Sequence, residues 1–390
     1  MARLGEICDV RDGTHDSPPY VREGYPLVTS KNITDGKLDI SNVSYISLED
    51  YNKINERSKV NTGDIIMPMI GTIGNPYIVE EFTEFAIKNV ALIKFTVDKV
   101  YNKYIFYFLN SEKFKEYIIE NNRGGTQKFL SLKDIRNTQL TLPSLTEQLE
   151  VVEKLDKISA IISLRKQQLS KLDELVKARF VELFGEPITN PMGWEKVNIS
   201  AVVGGKVSNG FFAKRDEYCD NGNVKVLGVA NVVNRMYSNT EELPQTNGTE
   251  ADIQKYGVKY GDMLFCRSSL VAAGIGKASI VPKGVPSNVL FECHVIRLPL
   301  DLNKCVPEFM QVLSTTDYFR NQVISQSKTA TMTTIGQDGI LKTEIILPPL
   351  ELQKQFLSFV KQTDKSKLAI QKSLEKLETM KKALMQKYFG

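Results

Sequence analysis

Apolar positions along this 390-residue chain follow two rhythms, and each rhythm occurs twice. In the first stretch, short β-branched and aromatic runs ("YPLVTSKNI", "DIIMPMIG", "NVALIKFTV") are broken by Gly, Asn, Asp and Pro. Such punctuation predicts short strands. The same stretch holds one helical run, "NKYIFYFLNSEKFKEYIIENN", echoed later by "PEFMQVLSTTDYFRNQVISQ". Together they predict a compact mixed α/β domain. After "LPSL" and "LPPL" the period changes to three and four. Leu155, Ile158, Ile162, Leu169, Leu172, Val176 and Leu183 recur with charges between them, which predicts a helix of about 40 residues. Val360, Leu374 and Leu377 belong to the matching stripe of the second helix. Proline before each helix and glycine after it fit capping preferences.

The two halves are copies. "GGTQKFLSLKDIRNTQLTLPSLTEQ" from Gly124 lies over "TATMTTIGQDGILKTEIILPPLELQ" from Thr329 at a constant offset of 205, pairing Thr126 with Thr331, Pro143 with Pro348 and Gln148 with Gln353. The offset still holds where Leu169 meets Leu374, Leu172 meets Leu377 and Phe184 meets Phe389. Upstream the match loosens: "NTGDIIMPM" resembles "KYGDMLFCR", and "LVTSKNI" resembles "VLGVANV", at offsets of 198 to 199. The fronts share a plan and differ in detail, as in duplicated modules that keep a fold and change what they touch. The divisions expected are a head at 1–143, a helix at 144–185, a linker at 186–192, a second head at 193–348 and a second helix at 349–390.

Length fixes a topology. A helix of about 40 residues is ~60 Å long at ~1.5 Å per residue, and the linker "GEPITNPMG" reaches at most ~30 Å. The chain therefore cannot return along its first helix before the second head begins. The expected fold is α/β of the α+β kind: two heads separated by two long antiparallel helices forming a coiled coil, with an internal pseudo-two-fold repeat.

Composition narrows the chemistry. Net charge is +4 with pI about 8.5, compatible with nucleic-acid contact through local patches without arguing for it. Five widely spaced cysteines without a CxxC pair point to a reducing compartment. Only His15 and His294 are present, which excludes a histidine-rich metal site. Cys293-His294 reads as a strand residue beside a buried thiol, and the thiols, Trp194 and most aromatics read as core. No apolar run approaches the ~18 residues of a membrane span, so the expected location is cytoplasmic.

"SPPY" (Ser17 to Tyr20) is the one stretch with a catalytic look, since amino-group DNA methyltransferases hold their base on such a loop. A methyltransferase also needs a glycine-rich strand-turn-helix for S-adenosylmethionine. "VVGGKV" (Val202 to Val207) and "AAGIGKAS" (Ala272 to Ser279) lack those surroundings. There is no P-loop and no convincing PD-(D/E)xK set. Consecutive prolines explain SPPY as an extended turn.

Over nearly its whole length the chain resembles the specificity subunit of type I restriction-modification systems. The resemblance is carried by "RDGTHDSPPYVREGYPLVTSKNI", "GGTQKFLSLKDIRNTQLTLPSLTEQ" and "KLDELVKARFVELFGEPITNPMGWEK", and above all by two variable heads alternating with two similar helices. It implies a non-enzymatic subunit with no catalytic residues, whose heads are target recognition domains. Each would read half of an interrupted double-stranded DNA target. The helices would set the spacer and dock two methyltransferase subunits, and restriction (motor-nuclease) subunits would complete the complex. No cofactor or metal is expected on this chain; S-adenosylmethionine, ATP and Mg would sit on the partners. An autonomous methyltransferase using SPPY and a protein-only coiled-coil scaffold are the alternatives.

In such heads, basic side chains supply phosphate contacts while amides and arginines reach base edges. The candidates in head one are Thr14, His15, Lys31, Asn32, Arg123, Thr126, Gln127 and Lys128. Those in head two are Asn209, Lys214, Arg215, Asn231, Arg235, Arg267, Lys328 and Thr331. Lys31-Asn32 aligns with Ala230-Asn231, so the Asn is shared and the Lys is not. For each of these an ordinary solvated loop remains the alternative, and Asp12 and His15 read equally well as ordering their own turn. The candidate core of the helix pair is Leu155, Ile162, Leu169, Leu172, Val176, Val360, Leu374 and Leu377. The helices' basic and acidic residues alternate, which reads as solvated or partner-facing surface rather than a DNA groove.

Overall fold

The computed structural model describes residues 1–34, 36–71, 73–80, 84–121 and 129–390. Contacts divide the chain into two compact units: Met1–Gln167 with Gln371–Gly390, and Gln168–Ile370. Each unit therefore combines one head with part of both long helices.

The head of unit 1 is built on a four-stranded antiparallel sheet, in the order Asp9–Asp12, Val90–Lys94, Ile65–Pro68, Tyr77–Ile78. Ile65, Ile66 and Met67 are fully buried, so the run "IIM" is apolar throughout because both faces of its strand are covered. A second sheet pairs Tyr25–Val28 antiparallel with Ser44–Ile46 and parallel with Ala86–Ile87. Unit 2 repeats the plan. Its four-stranded sheet runs Ser208–Asn209, Val295–Pro299, Asp262–Cys266, Ala278–Ile280, and Val224–Leu227 pairs antiparallel with Gln245–Thr246 and parallel with Val289–Phe291. The internal repeat thus holds strand by strand.

The helical run expected as one element in each head is two. Asn102–Leu109 is followed by Glu112–Asn121, and Pro307–Ser314 by Asp317–Ser325. The break comes from a hydroxyl: Ser111 Oγ accepts from Phe114 N, and Thr316 Oγ1 from Phe319 N, each starting a new helix.

Both long helices are 40 residues, Leu145–Phe184 and Leu350–Phe389. Gly185, at φ 75°, ends the first in the left-handed region glycine favours. Within unit 1, Phe389 shares a core with Val151, Val152 and Leu155, while Lys166 pairs with Glu378 at 3.0 Å. Rising along one segment means falling along the other, so the two run antiparallel. Within unit 2 the same order appears: Phe180 and Phe184 pack on Phe356, and Asp173 pairs with Lys367 at 2.5 Å.

Leu155, Ile162, Val176 and Val360 are buried, whereas Leu169, Leu172, Leu374 and Leu377 are only half-buried. The deepest stripe positions are those that join a head's core as well as the helix pair. Phe184 shows this: its ring lies 4.8 Å from Phe309 of the head and 5.6 Å from Phe356. A buried glutamine braces each head to its helix. Gln148 donates to Lys99 O and Pro143 O and accepts from Tyr101 N, all at 2.9 Å. Gln353 repeats this with Lys304 O, Pro348 O and Val306 N. Trp194, half-buried, donates from Nε1 to Phe184 O at 2.8 Å, fastening the head of unit 2 to the end of the first long helix.

Candidate nucleic-acid interface

The loop after the first sheet strand is set by a glycine in each unit. At Gly13 an added Cβ would meet Ile87 O at 2.0 Å, and at Gly210 it would meet Glu292 O and Phe291 O at 2.2 Å. No other residue permits that approach. Thr14 and Phe211 then form parallel bridges to Lys88 and Glu292. The exposed residue that follows is His15 in unit 1 and Phe212 in unit 2.

His15 is held at both ring nitrogens, with Nδ1 2.8 Å from Asn89 Oδ1 and Nε2 2.9 Å from Asp12 Oδ2. The Asn89 bond and then the Asp12 bond raise its pKa above the ordinary 6.5, against burial and the Arg57 guanidinium. Arg57 Nη2 also donates to Asp12 Oδ1, and Lys88 Nζ to Ser17 Oγ. His15 thus orders its own turn. Thr14 Oγ1 accepts from Asp16 N at 3.1 Å. SPPY continues from this loop without regular secondary structure, with Tyr20 exposed.

Asn32 is 7% exposed and its amide is saturated. Oδ1 accepts from Thr29 N and Oγ1, and Nδ2 donates to Asp39 O and Asn42 O. An amide has two acceptor sites and two donor hydrogens, so none is left for a base edge. Asn231 makes the same backward bond to Gly228 N at 3.1 Å. The shared asparagine is a turn former, and its exposed neighbours, Lys31 and Ala230, are what differ.

In unit 2, two loops far apart in sequence meet. Ser268–Ser269 pairs with Thr333–Thr334, which turns back on Lys328–Thr329, giving a three-stranded sheet that carries exposed Lys328 and Thr331. Arg267 enters this sheet with its Nη1 donating to Cys293 O at 3.1 Å and its backbone N to His294 O. Asn209 lies half-buried on the edge strand of the four-stranded sheet, paired with Ile296. Lys214 and Arg215 are exposed at a 3-10 turn, and Arg235 is exposed with its guanidinium on Val233 O and Ala230 O. These three stand on other loops than the Arg267 sheet. Arg123, Thr126, Gln127 and Lys128 lie outside the described residues; in unit 1 the bridge of Ile70 with Phe129 matches the Ser268 pairing.

Lys88, Asn89, Arg57 and Glu292 were not sequence candidates. The signal was there for three of them: "IKNV" and "FECHV" put polar residues between two apolar runs, the mark of a turn between strands. Two core assignments also change. Cys293 is half-buried and His294 exposed in that turn rather than on a strand, and Cys219 is exposed. Among the described residues no group of three or more His, Cys, Asp or Glu could hold a metal, and no helix is long and apolar enough to cross a membrane.

This doubled frame has a known counterpart. The type I restriction modification DNA specificity domain, as a family model, matches residues 1–174 and again 191–379. The chain belongs to this family. As a type I specificity chain it is 20% identical over 405 residues to the EcoKI specificity subunit of Escherichia coli (strain K12), covering 95% of this chain and 83% of that one. It is 23% identical over 400 residues, with the same coverage, to the StySPI specificity subunit of Salmonella potsdam. Its fold is similar to that of a type I S subunit from M. genitalium, at TM-score 0.56 and 12% identity over 100% of this chain and 95% of that chain. A chain from a study of assembly and conformational transition of the type I R-M system gives 0.54 and 18%, over 100% and 96%.

Proposed function

We propose that this specificity chain is the non-catalytic DNA-reading subunit of a type I complex, each head reading one half of an interrupted target. One observation carries the reading: the two units keep the same loop frame and change what it displays. Gly13 and Gly210 hold the same bend, but His15 is replaced by Phe212. Asn32 and Asn231 hold the same turn, but Lys31 is replaced by Ala230. Met69 is replaced by Arg267 directly after the matching strands Ile65–Pro68 and Asp262–Cys266. A shared loop frame with changed display is what readers of two different sequences need.

The long helices are assigned the spacer and the docking of two methyltransferase subunits, joined by restriction subunits. Exposed Ile161, Leu164 and Met380 in unit 1, and Leu175, Val181 and Leu368 in unit 2, supply apolar area for such contacts. S-adenosylmethionine, ATP and Mg belong to those partners in this reading. The glycines of "VVGGKV" precede the strand Ser208–Asn209; in "AAGIGKAS" Gly274 closes a 3-10 turn and Gly276 follows it, before the strand Ala278–Ile280. Neither stretch opens a helix, so neither offers helix-terminal N–H groups to a cofactor.

The test is exchange of residues 1–143 for the head of another type I specificity chain. One half of the methylated target changes and the other stays. A change in both halves, or in neither, contradicts independent reading.

A further inference from the structure

One loop of unit 2 is longer than its copy in unit 1. Both loops start from the same pairing, since Ile70 bridges Phe129 as Ser268 pairs with Thr334, and Phe129 and Thr334 match at the offset of 205. Both end at matching glycines. An added Cβ on Gly74 would meet Ile118 at 2.5 Å, and on Gly276 it would meet Val323 at 2.4 Å, with Ile118 and Val323 again matched. Gly74 follows Ile70 by four positions, whereas Gly276 follows Ser268 by eight. The extra length presents Leu270, 82% exposed, and Val271, 62% exposed. It is braced: Ser269 Oγ accepts from Val271 N at 3.3 Å, Gly274 N donates to Val271 O at 3.0 Å, and Arg320 Nη2 to Ala273 O at 3.1 Å. Folding leaves this leucine in water, so its burial is available to a partner.

The surroundings choose that partner. Leu270 directly follows the strand Ser268–Ser269 of the Arg267 sheet, on which Lys328 and Met332 are also exposed. Residues 267–291 and 318–337 contain no Asp or Glu. The carboxylate of Glu292, in the turn that Arg267 bonds, accepts from Val229 N at 2.7 Å. An apolar tip among cations and hydroxyls suits a partner that is anionic outside and apolar within, which describes stacked DNA. Resting on the DNA-reading function above, we propose that Leu270 is a wedge that enters between two base pairs of the half-target read by unit 2, unstacking that step and kinking the duplex. Leucine is among the side chains that insert in this way. The shorter loop of unit 1 leaves its own half-target stacked at the matching step, so the distortion is confined to one half.

The complete chain, assembled with its methyltransferase subunits, is titrated with duplexes carrying its methylated target. In these, fluorescent aminopurine, quenched while stacked, replaces one base at a time. Binding is expected to raise the fluorescence at one step, in the half that head exchange assigns to unit 2. Leu270→Ser is expected to abolish that rise and weaken binding about tenfold, equivalent to ~1.4 kcal/mol, while Leu270→Met, still apolar, keeps both. The base drawn out of the stack for methylation gives a separate signal, which Leu270→Ser leaves in place. Leu270 is exposed, so its substitution leaves the fold intact. No rise beyond the methylated base, or a rise that survives Leu270→Ser, overturns the wedge. Loss of the methyltransferase subunits from the Leu270→Ser complex also overturns it and makes the loop a protein contact. In each of these cases the DNA-reading function stands, whereas an unaltered complex that binds no interrupted target defeats both.

Discussion

His15 shows how a loop residue changes meaning once its partners are known. Its bonds reach Asn89 and Asp12, and the first of these is 74 positions away in the chain. Because those bonds raise its folded pKa above 6.5, protonated His15 stabilises the loop below the unfolded value, and the contribution disappears as pH rises through the folded one. NMR titration of the His15 ring is expected to give a midpoint above 6.5, and Asn89→Ala to lower it. A midpoint at or below 6.5 contradicts the two-bond arrangement. The thiols separate by exposure in the same way. Burial pushes Cys8 and Cys305 up to about 12, while Cys219 is exposed. A thiol reagent at pH 8 is expected to modify Cys219 first and to reach Cys8 and Cys305 only after unfolding; early loss of either buried thiol would refute that order. Neither contrast is legible in sequence, because a polar or sulfur side chain carries no record of what folds over it. Asn32 is the clearest case. Its sharing between the copies signalled a structural role, but its four bonds depend on where Asp39 and Asn42 return.

At the scale of elements the sequence is far more informative. A helix that keeps one period for 40 residues announces itself, and a repeat at one offset announces it twice. The strands "DIIMPM" and "GDMLFC" were legible for the same reason. What escaped was punctuation: the hydroxyls of Ser111 and Thr316 end one helix and begin another inside an unbroken apolar pattern. The matched glutamines Gln148 and Gln353 were visible as a conserved pair of the repeat, though not as braces. Each holds three backbone groups in a fully buried position. Gln148→Leu removes all three bonds at once. At roughly 1–3 kcal/mol for a buried polar group left unsatisfied, a loss of at least ~2 kcal/mol is expected in denaturant unfolding, with the same loss for Gln353→Leu. A change under ~0.5 kcal/mol in either variant rules out the brace.

For the whole molecule, duplication is the organising fact: one frame, used twice, with different side chains displayed at the same bends. In the proposed function the long helices set the spacing of the two half-targets. Inserting four residues into both helices adds ~6 Å at ~1.5 Å per residue, close to two base pairs at ~3.4 Å each. The methylated target of that variant is expected to keep its halves and lengthen its gap; an unchanged gap contradicts the spacer role. The central claim, that this chain gives a methyltransferase its sequence, is tested most directly by the genome-wide pattern of methylated bases in cells with and without it. The account predicts that one interrupted motif, two short halves around a fixed gap, disappears when the chain is removed and returns when it is restored. A methylation pattern that is unchanged, while the methyltransferase subunits are present and active, would contradict it.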